Sequence, residues 1–265
     1  MDKCCHITTF LHSCNLKTEY DTLRIRAFDP VQHIRSYGCS AVEDEGGSGV
    51  VDELQIPLTF TAESTDSSIA ITHYSNKMFY RNGISGSWIP YSSGTVLPLS
   101  KIGDSVQFLN EETELYKNNK AATVSGVGRI GASGNIMSLM NFREDCPPYC
   151  FRTLFTNCVA LTKLPLMPAT ELGMQSYYHM FLGCANITEA KLPNITNPGA
   201  LACRALFNGC KNLVRIEVDF TSWSDAFIIW VGNTAKSGTF VKPKELPEIY
   251  GADRIPNGWT VINKD

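Results

Sequence analysis

Charge is scarce in this sequence. Of 265 residues only 18% are Asp, Glu, Lys or Arg, and the formal net charge is −3. That composition assembles no basic face or stripe of the kind that grips a nucleic-acid backbone, so nucleic acid is not an expected partner. Long apolar runs are also missing. None approaches the roughly 18 residues that a bilayer-spanning helix needs, which argues against membrane insertion. The opening Met1-Asp2-Lys3-Cys4-Cys5-His6 has no basic segment followed by an apolar stretch and a small-residue cleavage site, so no secretory signal is read there. His-Glu-x-x-His, Gly-x-Ser-x-Gly and Walker strings are absent. Adjacent carboxylates occur in Asp44-Glu45 and Glu111-Glu112, but in polar stretches that imply no cleft. The chain is expected not to be an enzyme, and no cofactor is expected.

What is present is a repeat. Phe155-Thr156-Asn157-Cys158, Phe181-Leu182-Gly183-Cys184 and Phe207-Asn208-Gly209-Cys210 follow one another at steps of 26 residues. After each Cys comes an L-x-x-L-x-L spacing: Leu161, Leu164, Leu166; Ile187, Ala190, Leu192; Leu213, Ile216, Val218. A fixed period of roughly 20 to 29 residues with this spacing signals leucine-rich solenoid coils, here over residues 150–220. In each coil the spaced apolar residues point inward along a short strand, and those between point out. The outward residues are Lys163 and Pro165, then Glu189 and Lys191, then Arg215 and Glu217. Neighbouring strands lie about 4.8 Å apart, so opposite charges are expected to meet across the columns Lys163–Glu189–Arg215 and Pro165–Lys191–Glu217. This face is either a soluble charged surface or a ligand-binding surface; Lys163, Glu189, Lys191, Arg215 and Glu217 are its candidate binding residues. On the other side, Phe151 to Phe155, Tyr177 to Phe181 and Cys203 to Phe207 read as short helical turns whose aromatic residue plugs inward. Cys158, Cys184 and Cys210 read as a buried column of free thiols, since Cys is a common small buried residue. Residues 221–265 read as a cap, with Trp223, Phe227 and Trp230 covering the last coil. Ser237 to Val241 reads as a strand in the register of a fourth coil, with Thr239 one further repeat step beyond Leu213.

Ahead of the repeat, residues 54–118 read as a small all-β sandwich. Leu54, Ile56, Leu58 and Phe60 alternate with polar residues, and Ile69 and Ile71 do so again. Met78 to Tyr91 reads as a hairpin around Asn82-Gly83, a pair that supplies the positive φ of a tight turn. Trp88 and its neighbouring tyrosines suit either the core or a sugar-stacking platform. Residues 119–149 read as a connector and solenoid cap. Their Gly126-x-Gly128-x-x-Gly131 matches the dinucleotide fingerprint, but no βαβ unit surrounds it, so it reads as a glycine-rich bend. Residues 1–53 read as an arm and linker, with a strand at Thr22 to Phe28 and an acidic, Gly/Ser-rich run at Glu43 to Gly49. The crowding of Cys4, Cys5, His6, His12 and Cys14 matches no zinc spacing, and no metal site is expected. The fold class expected is α+β: an arm, a sandwich and a short leucine-rich-repeat solenoid.

Several of these strings resemble the BspA-type leucine-rich repeat proteins of Bacteroidetes and of phages infecting them. They are the F-x-G-C-x-x-L-T unit, Leu164 to Thr170, Phe220 to Ser224, Ser237 to Val241 and Ile255 to Val261. The likeness covers roughly residues 54–265 and leaves out the arm. It implies a curved solenoid behind a small β domain and a role in surface attachment, with no catalytic residues to carry over. Members on bacterial surfaces are similar to adhesins, whereas in phages the module looks like part of fibres or decorations. Without an export signal, the expectation is a virion structural protein, docked to other virion proteins through its arm and meeting a bacterial surface glycan or protein. A homo-oligomer is expected; a bacterial cell-surface adhesin is the alternative.

Overall fold

The computed structural model describes residues 52–264. The Cys/His crowding, the strand at 22–28 and the linker at 43–49 lie outside the described residues. What is described is β-rich, with several sheets, three short 3₁₀ turns and no α-helix. The α+β expectation is corrected accordingly.

The first part is built on β1 (Leu58–Ala62), β2 (Ser67–Thr72), β3 (Met78–Asn82), β4 (Ile89–Pro90), β5 (Leu97–Leu99), β6 (Ser105–Asn110), β7 (Thr123–Val127) and β8 (Ile130–Ser133). With β9 (Leu161–Lys163) they form a six-stranded sheet, β4-β3-β6-β1-β8-β9, and a three-stranded sheet, β5-β2-β7. Leu58, Phe60 and Ala62 on β1 are buried with Val106 and Phe108 on β6 and with Ile69 and Ile71 on β2, so both sheets share one core. The β-domain therefore runs past residue 118. β7 pairs with β2 and β8 pairs with β1, and without them both partners would present open edges. The glycine motif spans the turn that carries the chain from β7 in one sheet to β8 in the other. Gly128 sits at φ +78°, where a Cβ would fall 2.4 Å from Ser67 Oγ. The hairpin of β3 and β4 forms, but its last pair is Tyr80 with Ile89, so the chain reverses over a longer loop than the tight turn expected at Asn82-Gly83.

The second part holds β10 (Glu171–Leu172), β11 (Glu189–Leu192), β12 (Asn197–Pro198), β13 (Arg215–Val218), β14 (Thr239–Lys242) and β15 (Thr260–Asn263). β11, β13, β14 and β15 make one parallel sheet in chain order, and β10 pairs with β12. Glu189 stands opposite Arg215, Arg215 opposite Thr239 and Thr239 opposite Thr260. The repeat step thus shortens twice along the sheet. Thr239, expected in line with Leu213, is instead the partner of Arg215.

Opposite this sheet the chain makes consecutive turns instead of the expected helical turns. The N–H groups of Phe151, Thr153, Phe155 and Asn157 donate to the carbonyls of Ser176, Tyr178, Met180 and Leu182 in the next repeat, at 2.7–2.9 Å. Those of Leu154, Thr156 and Cys158 donate three residues back, to Phe151, Thr153 and Phe155. The next repeat does the same toward Ala202, Arg204, Leu206 and Asn208. Left-handed φ values recur every fourth residue, at Thr153 and Asn157, His179 and Gly183, Ala205 and Gly209. A helix cannot continue through such residues; the ladder satisfies the backbone without one.

Inside, Phe155, Phe181 and Phe207 stack at 5.1 and 5.7 Å, and the column ends on Trp230 at 6.1 Å. Beside it Cys184 Sγ donates to Phe155 O and Cys210 Sγ to Phe181 O, at 2.9 and 3.1 Å. Cys146, Cys150, Cys158, Cys184, Cys203 and Cys210 are free and buried. Burial pushes the Cys210 thiol up to about 12 and Cys184 higher still, so neither is reactive at neutral pH. Trp223, Phe227, Trp230 and Phe240 close the far end in one aromatic cluster, and the indole N–H groups of Trp223, Trp230 and Trp259 each reach a backbone carbonyl at 2.8 Å.

Gly134 has φ +70°, and a Cβ there would lie 2.2 Å from the backbone oxygen of Pro57; Gly103 has φ +90° with nothing within 4 Å. Gly103→Ala is expected to cost only the left-handed strain, about 1–2 kcal/mol, and Gly134→Ala clearly more, as read by urea unfolding of the two variants. His73 is buried against Tyr91. Burial lowers its pKa, outweighing nearby backbone groups of Tyr91 and Ser75 that favour the charged form. Its contribution to stability is full above the ordinary histidine pKa of about 6.5 and is lost as pH falls below it, because the unfolded chain takes up the proton that the fold refuses. His73→Phe should flatten the fall in melting temperature between about pH 7 and 5.

Candidate ligand-binding face

The five candidate residues sit on three strands. Lys163 ends β9, Glu189 and Lys191 alternate with buried Ala190 and Leu192 on β11, and Arg215 and Glu217 alternate with buried Ile216 and Val218 on β13. All five line one cavity of about 720 Å³, with Leu164, Pro165, Met167 and Pro193 on its apolar side and Asp219 at its far edge. The expected inward residue Leu166 is instead 37% exposed and part of this lining.

The cavity opens because β9 and β11 are not paired: β9 lies in the sheet of β8, and β11 is the edge of the other sheet. Between β11 and β13 the last rung runs from Asp219 N–H to Leu192 O at 3.2 Å. One repeat earlier that rung would run from Pro193 to Leu166 O. Proline has no N–H to give, and Leu166 O already accepts from Ile136 N–H, while Leu166 N–H donates to Gly134 O. The first strand is thereby held to the β-domain and parted from the second. On either side of the gap the repeats rejoin, through Asn186 Nδ2 to Val159 O at 2.7 Å and Thr196 N–H to Thr170 O at 3.0 Å. Alternate residues of a parallel strand turn their backbone groups to one neighbour. With Leu192 turned to β13, Glu189 and Lys191 turn theirs toward the cavity.

The parting changes the charge pairing. Lys191 meets Glu217 across the strands at 3.1 Å, as the second column predicts. In the first column Lys163 turns to Glu63, at 2.9 Å, and Arg215 turns along its own strand to Glu217, at 3.5 Å. Glu189 has no ion pair among the described residues. Glu217 is the hub of the face, touched by Lys191, Arg215 and Lys264. Its carboxyl is held below the usual range by the hydrogen bond from Lys264, which with that from Lys191 overcomes its partial burial. Glu63 is held low in the same way, first by Lys163 and further by Thr162 and Arg129. Burial disfavours the charge on Lys264, but its hydrogen bonds to Asp219 and Glu217 prevail and raise its pKa.

Asp219, Lys264, Glu63 and Arg129 are members of this network beyond the five expected residues. Asp219 continues the alternation of Arg215 and Glu217 and is readable from it. Glu63 and Lys264 reach the face from the β-domain and the C-terminal end, where no periodicity points to them. Trp88 is neither fully buried nor open; the Arg81 guanidinium lies 4.7 Å over its ring. Among the described residues no group of three or more His, Cys, Asp or Glu is placed to hold a metal ion, and no helix is long and apolar enough to cross a membrane.

Glu217 supports the fold above the ordinary glutamate pKa, 4.5, and that support is lost as pH falls through its lower folded value. Glu217→Gln is expected to be less stable than the parent at pH 7, with the difference shrinking as the pH is lowered below 4.5, compared by denaturant midpoints. The pair is part-exposed and screened, so the neutral-pH loss should stay near ~1 kcal/mol.

Set against protein-family models, curated proteins and solved structures, the chain matches none.

Proposed function

We propose that this chain is a non-enzymatic display protein of a phage virion, a fibre or a capsid or tail decoration, that attaches to the bacterial surface. In this reading the repeat segment is a short leucine-rich solenoid, the β-domain is a small sandwich that holds its first strand, and residues 1–53 dock on other virion proteins. Copies assemble as a homo-oligomer, which lets several weak contacts add up. The observation that carries the reading is the convergence of Lys163, Glu189, Lys191, Arg215 and Glu217 on one cavity of about 720 Å³. Clefts of this size, with a few polar groups beside apolar lining, are the usual places for a ligand to bind. The ligand is a bacterial surface glycan or protein. The resemblance to BspA-type proteins supports attachment and points to Bacteroidetes as the bacteria to test.

Purified full-length protein should bind cells of a Bacteroidetes panel, and the double variant Glu189→Gln, Lys191→Met should bind at least about tenfold more weakly, by flow cytometry with labelled protein. Antibody against the chain should decorate phage particles and not intact uninfected cells. Labelling of uninfected cells alone would instead make it a bacterial surface adhesin. Undiminished cell binding by the double variant would remove this face from the proposal.

A further inference from the structure

On the side away from the charged sheet, the repeat places Arg152, Tyr178 and Arg204 in one column, one repeat step apart. The turn ladder makes them neighbours: Thr153 N–H donates to Tyr178 O, and His179 N–H donates to Arg204 O, both at 2.9 Å. The guanidinium carbons of Arg152 and Arg204 lie 4.9 and 5.9 Å from the Tyr178 ring centre. Arg152 is also 5.9 Å from the ring of Tyr149 and donates to Gln175 Oε1 at 2.9 Å. Neither arginine has an ion pair among the described residues, whereas Lys163, Lys191, Arg215 and Lys264 on the opposite face all do. Arg204 Nε is shut off from solvent without a hydrogen-bond partner. Both side chains are partly exposed.

We infer that Arg152, Tyr178 and Arg204 form a second binding site, for a single oxyanion, a phosphate or a carboxylate, carried on a sugar. Guanidinium forks match the oxygens of such groups in pairs. The Tyr178 ring, between His179 and the two arginines, positions the forks. The partly exposed ring of Tyr149, packed on Tyr116 at 5.0 Å, leaves an apolar edge beside them for the C–H side of a sugar ring. Two arginines on a chain of net charge −3 suit one anionic group and not a long phosphate backbone, which asks for a broad basic stripe. His179, whose ring stacks on Tyr178 at 3.9 Å, is a built-in reporter. Burial, then Arg204 and Arg152, hold its pKa below the ordinary value. An oxyanion seated on the arginines would cancel their field and raise it.

The test is a titration of the full chain with inorganic phosphate, glucose 6-phosphate and galacturonate, at ionic strength held constant with chloride. The His179 ring is followed by NMR through a pH series. A saturable rise of the His179 pKa with phosphate and with at least one sugar anion is expected. Arg152→Gln should weaken it about tenfold or more. Arg204→Lys, which keeps the charge and loses the fork, should weaken it less but measurably. No change in His179, a change that chloride alone reproduces, or an unaltered titration in Arg152→Gln would overturn the site. Tighter binding of a thymidine oligonucleotide than of either sugar would overturn the sugar as its carrier. Loss of this site would leave the cell-binding face untouched, since no residue is shared.

Discussion

The repeat segment depends on one constraint: where each backbone N–H goes. In the turn ladder alternate residues give theirs to the next repeat, and those between give theirs three residues back. Buried backbone groups left without partners are costly, and this arrangement leaves no choice of register. It also dictates which side chains point inward. Phe155, Phe181 and Phe207 stack because the ladder repeats their geometry, and Cys184 and Cys210 use the carbonyls of the preceding Phe155 and Phe181. Residues that dislike left-handed φ, such as Thr153 and Ile229, are held there all the same, which shows how strongly the neighbouring bonds determine the backbone.

The period itself is plain from sequence, because apolar side chains must recur wherever the same inward position recurs. The alternation of Glu189, Lys191, Arg215 and Glu217 with buried neighbours follows on that ground alone. What periodicity does not supply is the backbone state of the reverse side. A run such as Tyr177-Tyr178-His179-Met180-Phe181 has its apolar residues where a helical turn would also place them, and only the left-handed φ at His179 decides between the two. The boundary at residue 118 fails for a related reason. Glycines in 126–134 look like a linker, yet they turn tightly between two strands whose apolar residues, Val124, Ile130 and Ala132, are core.

The cavity is a case in which a single missing donor has a long reach. Lys163 and Glu189 occupy equivalent places in their repeats and would be cross-strand partners in a uniform sheet. Pro193, together with the capture of Leu166 by Gly134 and Ile136, parts the strands and sends Lys163 to Glu63. Neither effect is visible in a column-by-column reading, since one lies two residues beyond the paired charges and the other rests on contact with a distant segment. The same parting leaves Glu189 without an ion pair among the described residues and so gives the face an unmatched carboxylate.

The step between successive strands shortens from Glu189–Arg215 to Arg215–Thr239 and again to Thr239–Thr260, which makes the stack taper. A tapered stack is not indefinitely extensible. A duplicated full-length unit would meet matching neighbours on both sides if inserted between β11 and β13, where the full step is kept, but would overhang its neighbour if added after β14. Growth or loss of units in such a chain is thus confined to its middle, and the distance between the β-domain and the tryptophan-rich end can change by whole units without remaking either.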